Sequence, residues 1–455
     1  MGILIPRVIG PEAYGNFNYI LSSYSFLFQI LMFTSSTAYI YFLSSDRYKS
    51  EDINMFYLFF IFTISLIVFI ITIFSTCTQI GIQYFWNGLD NYYLLYFGFL
   101  YTILLNLYQR LIEFSDSTQQ TITSEKLKLF SRLIIVLTIL TFIIVDMFNI
   151  YFYFILSILN FILFFILFFK YISFSISKFN FKLFKVISND FYIYLKPLIF
   201  FSFISAIYAY LGKYVLQSSG GSIEQGYYNV ASQLALIPVI FISSIMTIYM
   251  SEMTKKFQID DIDGVKDIFL QNIFKIYAIH TFISLFMLVN AQEILIISVG
   301  KQFLDATQAL QFLTIFSLLH TFGMLSGNLF FSSGRNKEYS IINSTTMSFG
   351  IIVFIYILFN FSLNATYLAI IMTLFYGIRV SIQLIININY LKIKKKLFFI
   401  ELFLVTIIIL TILILIYWLK FNLFINLLIS FFILIIINFI FKDYMNIKSL
   451  KVLRK

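Results

Sequence analysis

Two basic residues inside long apolar segments are the side chains best suited to bind a ligand. Lys213 lies in the apolar run 197–217, and Arg379 lies within the run 364–389. A charge inside such a segment is costly and by default indicates a functional site. A guanidinium forms two parallel bonds to an oxyanion, and an ammonium acts as a point charge. Both positions therefore predict contacts with an anionic ligand, with a snorkelling side chain or a structural salt bridge as the alternative.

Further polar residues accompany these cations. Arg7, close to the N-terminus, is a third candidate for an anion contact at the mouth of a cavity. Hydroxyl and amide side chains inside apolar segments are candidates for bonding a hydroxyl-bearing ligand, with hydrogen bonding between helices as the alternative. These residues are Ser22, Ser23, Ser25, Gln29, Asn229, Ser232 and Gln233.

Catalytic motifs are missing from the sequence. Its two histidines, His280 and His320, stand alone in apolar runs, and Cys77 is the single cysteine. We find no metal-ligand spacing, phosphate-binding glycine loop or nucleophile elbow. The sequence therefore predicts a protein that is not an enzyme and needs no cofactor or metal.

The amino-acid composition predicts that these residues lie in a membrane. The chain is 60% hydrophobic and 11% charged, whereas a soluble domain carries roughly 25% charged residues. Such a chain cannot cover a water-facing surface, so it is predicted to be an all-α integral membrane protein. The net charge of +10 is a signal of membrane topology, and nucleic acid is not an expected partner.

Apolar runs of about 18–25 residues predict the membrane helices. Thirteen full spans are predicted, at roughly 14–43, 55–77, 92–112, 129–147, 150–170, 197–217, 226–250, 271–291, 306–331, 339–360, 364–389, 399–419 and 422–441. Residues 1–9 are interpreted as the last turns of a further helix, so we expect the coding region to extend upstream by about 20–30 residues. Pro238 is expected to kink the span 226–250.

Basic residues concentrate in alternate loops and in the C-terminal tail. By the positive-inside rule this pattern places the C-terminus in the cytoplasm and residues 10–13 outside. The outer loops are short, including the longest, near residues 78–91. A membrane-embedded polysaccharide polymerase or ligase would need a larger outer loop carrying catalytic polar residues.

A short repeat divides the chain. Gly15-Asn16-Phe17-Asn18 and Gly226-Tyr227-Tyr228-Asn229 share a glycine, an aromatic residue two positions later and then an asparagine. The two copies lie about half the chain length apart, a spacing typical of transporters built from two similar lobes. We predict an N-terminal lobe over 1–170, a cytoplasmic connection over 171–196 and a C-terminal lobe over 197–389. Residues 390–455 would add two helices and a basic tail.

Four motifs support a family resemblance. Ile9–Phe17 resembles the "LGPeeyG-x-aromatic" turn of the Wzx-type polysaccharide flippases, members of the multidrug/oligosaccharidyl-lipid/polysaccharide (MOP) exporter superfamily. Gly226–Ala231 is similar to their "GYYs-x-A", Gly300–Ala306 to "G-x-x-F-x-x-A" and Gly334–Lys337 to "G-[RK]-x-K". The chain departs from the family at Gly212-Lys213, where an Asp often precedes the cation, and in lacking most of the first helix.

The resemblance implies about 14 transmembrane helices, the first truncated, in two six-helix lobes plus two C-terminal helices. It also implies a flippase that moves an undecaprenyl-diphosphate-linked oligosaccharide across the bacterial inner membrane by alternating access, for O-antigen, capsule or exopolysaccharide assembly. The expected partners are this substrate, the bilayer and other polysaccharide-assembly membrane proteins. A multidrug/cation antiporter of the same superfamily, or a membrane-embedded polymerase or ligase, is the alternative. The residues assigned to substrate binding are Lys213, Arg379, Arg7, Asn229, Gln233 and Gln29.

The predicted topology can be tested with reporter fusions. Fusions after Lys185, Lys256, Lys337 and Lys396 should report a cytoplasmic location, because these residues lie in the basic loops. Fusions near Ser222, Lys301 and Asn364 should report the outside. One loop on the opposite side would overturn the helix count and the two-lobe alignment.

Overall fold

The computed structural model describes residues 3–45, 47–396, 398–400, 403 and 406–407. Within this part of the chain the regular structure is helical throughout, as the sequence predicts. The α-helices are α1 (Leu4–Met32), α2 (Ser35–Ser44), α3 (Ser50–Cys77), α4 (Tyr92–Ser117), α5 (Thr121–Ile144), α6 (Ile150–Tyr171), α7 (Phe181–Ala235), α8 (Ile237–Gln258), α9 (Ile262–Val289), α10 (Ala291–Ser298), α11 (Thr307–Ser332), α12 (Asn336–Asn360) and α13 (Ala365–Tyr390). A π-helical turn at Gly81–Phe85 and a 3₁₀ turn at Lys301–Ala306 complete them.

Eight of the described helices are long and apolar enough to cross a membrane, or nine if the bent pair α1–α2 forms one span. Helices suit this environment because they satisfy every backbone hydrogen bond internally. Large apolar side chains stay uncovered by protein; Phe62 and Phe74 of α3, for example, are 68% and 71% exposed. The chain is thus a multi-pass membrane protein. The predicted spans 399–419 and 422–441 fall almost wholly outside the described residues.

The helices form two compact units. The first comprises Ile3–Gly226 and Phe354–Ser362, and the second comprises Tyr227–Val353 and the chain from Leu363 onward. The core of the first unit is rich in aromatic side chains, including Tyr19, Tyr24 and Trp86. The core of the second is built around α9 and α11. These units divide the chain within α7, whereas the two-lobe boundary at 171–196 remains a prediction from the sequence.

The glycines that begin the two copies of the repeat lie in the first unit, where α1 and α7 pack closely against each other. Gly10 and Gly221, five residues before Gly15 and Gly226, interrupt these helices with positive φ angles of 81° and 73°. Five residues after each kink comes the packed glycine. A Cβ on Gly15 would lie 1.7 Å from the carbonyl oxygen of Ser222, and a Cβ on Gly226 would lie 2.1 Å from that of Pro11. Only glycine permits backbones to approach this closely, as small residues do in membrane helix packing.

Two local expectations are wrong. The span 14–43 is broken: Phe33 and Thr34 adopt left-handed backbone angles, and α1 and α2 are bent by 58°. Pro238 does not kink a continuous helix, because α7 ends at Ala235 and the proline lies in the first turn of α8, where its missing N–H costs little. Within the predicted connection 171–196, residues 172–180 are irregular and α7 begins at Phe181.

Side-chain caps fix several helix starts. Asn91, Asn149 and Asn364 each accept a backbone N–H at the beginning of α4, α6 and α13. Asp261 does the same for α9 through the Gly264 N–H at 2.8 Å, and Lys256 Nζ donates to it at 2.7 Å. The hydrogen bond from Lys256, followed by that from Gly264, lowers the pKa of the Asp261 carboxyl.

The close approach of the two repeats predicts a strong effect of one methyl group. Gly15→Ala and Gly226→Ala should each destabilise the protein by about 1–3 kcal/mol or more, because the added Cβ overlaps backbone that cannot move aside. The measurement is the thermal unfolding midpoint in detergent. Gly377→Ala is the control: its Cβ would meet only the Leu319 side chain, at 3.3 Å, so this variant should be as stable as the wild type or slightly more stable. Wild-type stability of Gly15→Ala would contradict the packing.

Candidate functional site

A polar stripe runs along one face of α1. Asn18, Ser22, Ser25 and Gln29 are spaced by four, three and four residues, which aligns them on one side of a helix. All four line a cavity of about 270 Å³ in the first unit. Its opposite wall comes from α7, where Ala206, Ala209, Tyr210 and Lys213 share a face by the same periodicity.

Lys213 is the cation of this cavity. Its Nζ donates a hydrogen bond to Ser22 Oγ at 2.9 Å, and the side chain is half-buried. No described carboxylate lies within salt-bridge distance of it. The Gln225 side-chain amide donates to the Lys213 carbonyl oxygen at 2.6 Å, across the kink in α7. The positive charge is therefore held in place and remains uncompensated by the described protein groups around it.

Tyr210 forms the aromatic wall beside the lysine. Its ring stacks on Phe26 with the centroids 4.3 Å apart. Its hydroxyl lies 3.2 Å from Ser23 Oγ and 3.3 Å from the Tyr19 hydroxyl, which also accepts a bond from Asn87 Nδ2 at 2.6 Å. This network binds α7 to α1 behind the cavity and fixes the face that Lys213 occupies.

A second cavity, also of about 270 Å³, adjoins the first. Ser25 and Gln29 line both, so the two cavities share a wall on α1. The second is completed by α4, which contributes Asn106, Gln109 and Arg110, and by residues 34–36 at the start of α2. The linings of the two cavities contain hydroxyls, amides and cations, and no carboxylate among the residues that the structure describes.

The remaining predicted site residues lie elsewhere. Arg379 belongs to the second unit, so the expectation that it shares a lobe with Lys213 does not match the compact units. Its guanidinium carbon lies 4.0 Å from the centroid of the Tyr376 ring, and its Nε is buried without a hydrogen-bond partner among the described residues. Arg7 is exposed in the first unit. In the second unit Asn229 is buried and Gln233 is exposed.

The structure thus brings Lys213, Ser22, Ser25 and Gln29 together at one cavity, whereas Ser23 contacts the Tyr210 hydroxyl and is not part of the lining. Their role in substrate binding stays a prediction. Sequence reasoning did not single out Tyr210, Asn106, Gln109 or Arg110. The spacing of Tyr210 and Lys213 on one helical face was the available signal. Within the described residues no three His, Cys, Asp or Glu side chains cluster as a metal site.

No protein-family model matches the sequence, and a search of curated proteins finds no match. The fold is nevertheless similar to that of solved membrane transporters. The chain matches the lipid II flippase MurJ in an inward closed conformation with a TM-score of 0.75 and 16% identity, over 98% of this chain and 96% of that one. It matches an inward-facing multidrug resistance MATE family transporter with a TM-score of 0.64 and 14% identity, over 86% and 93%.

Cysteine labelling tests whether the α1 stripe lines a water-filled cavity. In a Cys77→Ser background, which removes the single native cysteine, Ser25→Cys should react rapidly with a water-soluble, membrane-impermeant thiol reagent. Ser23→Cys is the matched control two residues away, and it should react slowly because the residue is fully buried. If Ser25→Cys reacts only with lipid-soluble reagents, this face of α1 contacts the bilayer instead of the cavity.

Proposed function

We propose that this protein is a flippase that translocates an undecaprenyl-diphosphate-linked oligosaccharide across the bacterial inner membrane. It would serve O-antigen, capsule or exopolysaccharide assembly and act together with other membrane proteins of that pathway. In this proposal the C-terminus is cytoplasmic and the protein performs no covalent chemistry.

The observation that carries the proposal is the cation of the α1–α7 cavity, which has no carboxylate partner among the described residues. A half-buried lysine in a membrane-spanning helix has lost part of its water, and a negative charge beside it would offset that cost. The described surroundings of Lys213 offer one hydroxyl, from Ser22, and no carboxylate. A diphosphate entering the cavity would supply the missing negative charge, and the stripe on α1 would hydrogen-bond the hydroxyls of the attached sugars.

Transport of such a substrate requires a polar path and no reaction. The diphosphate and sugars must cross an apolar layer of about 30 Å, while the polyprenyl chain remains in lipid. The likeness to MurJ and to a MATE transporter supports alternating access, because those structures are described as inward closed and inward-facing. Arg379, in the second unit, is a further proposed phosphate contact, and Arg7, Asn229 and Gln233 are proposed substrate contacts.

The fold by itself also fits a multidrug/cation antiporter. Such a protein needs buried carboxylates to bind a cationic drug, a proton or sodium. The residues that line the two polar cavities include none, and Glu113, beside the second cavity, is paired with Arg110. A polymerase or ligase would need a catalytic group beside its substrate, and the sequence offers no motif for one. The flippase proposal is therefore preferred to both.

Substitution of the cavity lysine tests the proposal. Lys213→Ala should reduce transport of the lipid-linked oligosaccharide at least about tenfold, because a charge-assisted contact to phosphate contributes about 1.5–3 kcal/mol. Lys213→Arg should retain more activity, since it keeps the charge. Arg379→Ala should reduce transport to a similar extent, and Arg379→Lys should recover little of it because lysine lacks the bidentate fork of arginine. The measurement is translocation in proteoliposomes, together with surface polysaccharide in cells.

Lys301→Ala is the matched control, because Lys301 is exposed and lies outside both cavities. It should behave as the wild type. Each variant must be inserted and as abundant as the wild type, which separates loss of transport from loss of folded protein. Normal transport by Lys213→Gln would show a snorkelling residue and contradict the proposal.

A further inference from the structure

We propose that the second cavity, lined by α1, α4 and the start of α2, is a binding subsite for a neutral sugar of the transported ligand. This inference rests on the proposed function and assigns the two parts of the ligand to the two cavities. The diphosphate lies beside Lys213 and the saccharide beside Arg110.

The charge of Arg110 is already balanced. Its Nη1 donates to Glu113 Oε2 at 2.6 Å, and Ser36 Oγ donates to the other carboxylate oxygen at 2.7 Å. Arg110 itself is 8% exposed. Because the pair is neutral as a whole, an anionic group entering this cavity would find no net positive charge. Glu113 therefore acts as a positioning residue that holds Arg110 and the first turn of α2 at the cavity wall.

The cavity surface instead offers unused hydrogen-bonding groups. The side-chain amides of Gln29 and Gln109 are exposed and form no hydrogen bond with any described residue. Asn106 uses its Nδ2 to bond the Thr102 carbonyl at 2.9 Å, which leaves its amide oxygen as an acceptor. Arg110 Nε is buried and has no partner among the described residues. An amide supplies both donors and acceptors, as hydroxyls of a saccharide require.

The helix bend and the spacing on α1 set the order of the subsites. The bend at Phe33 and Thr34 turns the chain so that Ser35 and Ser36 face the cavity that α1 and α4 form. Lys213 contacts Ser22, and Gln29 lies two helical turns further along α1. That separation is about 10 Å, because each residue of an α-helix rises about 1.5 Å. The two subsites therefore bind different parts of one extended ligand, with Gln29 at their junction.

Binding to purified protein in detergent tests the assignment. The probes are undecaprenyl diphosphate without sugar and the same lipid carrying either a neutral or a uronic-acid disaccharide. Wild-type protein should bind the neutral disaccharide form most tightly. Gln109→Leu should weaken that form about three- to tenfold, the equivalent of one or two lost hydrogen bonds, and leave binding of the bare lipid diphosphate unchanged. Gln109 has no partner among the described residues, so this variant should fold normally.

Arg110→Gln is the second variant and Lys213→Ala the comparison. Arg110→Gln should weaken the neutral disaccharide form selectively, whereas Lys213→Ala should weaken all three lipids. If Lys213→Ala weakens all of them and Gln109→Leu weakens none, the subsite is wrong and the proposed function stands. If Lys213→Ala changes nothing, the proposed function fails. A wild-type preference for the uronic-acid form would overturn the assignment of a neutral sugar.

Discussion

The contact between the two repeats is the constraint on which the described site depends. Without side chains at Gly15 and Gly226, α1 and α7 meet backbone to backbone. From this contact the pairs follow in antiparallel order: Pro11 with Gly226, Gly15 with Ser222, Ser22 with Lys213 and Phe26 with Tyr210. Because the two helices pack in this single alignment, Lys213 of α7 faces the polar stripe of α1.

The packing of α1 against α7 also explains how a charged lysine is held inside so apolar a protein. Removing an ammonium from water is costly, and one hydroxyl bond offsets only part of that cost. The Tyr19–Tyr210–Ser23 network behind the cavity holds the helices in place without adding charge. The charge of Lys213 therefore remains available to a ligand, whereas the charge of Arg110 is neutralised by its ion pair with Glu113. Lys213 and Arg110 thus line adjoining cavities but differ in charge balance, because only Arg110 has a carboxylate partner among the described residues.

The helix breaks occur where the polar groups are needed. Gly10 and Gly221 interrupt helices at equivalent places in the repeat, and Phe33–Thr34 interrupts α1–α2 beside the second cavity. A broken membrane helix leaves backbone groups that need partners, so such breaks are tolerated beside protein or a polar cavity. The kink in α7 also creates the contact from Gln225 to the Lys213 carbonyl. The helix breaks thus help to shape the walls of the two cavities.

The sequence by itself determined the class of the protein. Long apolar runs can only become helices in lipid, so the all-α membrane fold and most helix bounds followed from composition and periodicity. The glycine repeat and the isolated charge of Lys213 were also visible, because both depend on residue type. Tertiary structure decided which faces meet: that Tyr210 stands beside Lys213, that Ser23 points away, and that Arg110 pairs with Glu113 at a cavity. In a chain whose helices are apolar on nearly all sides, hydrophobic periodicity does not distinguish the lipid-facing side from the packed side, and only the contacts between helices do.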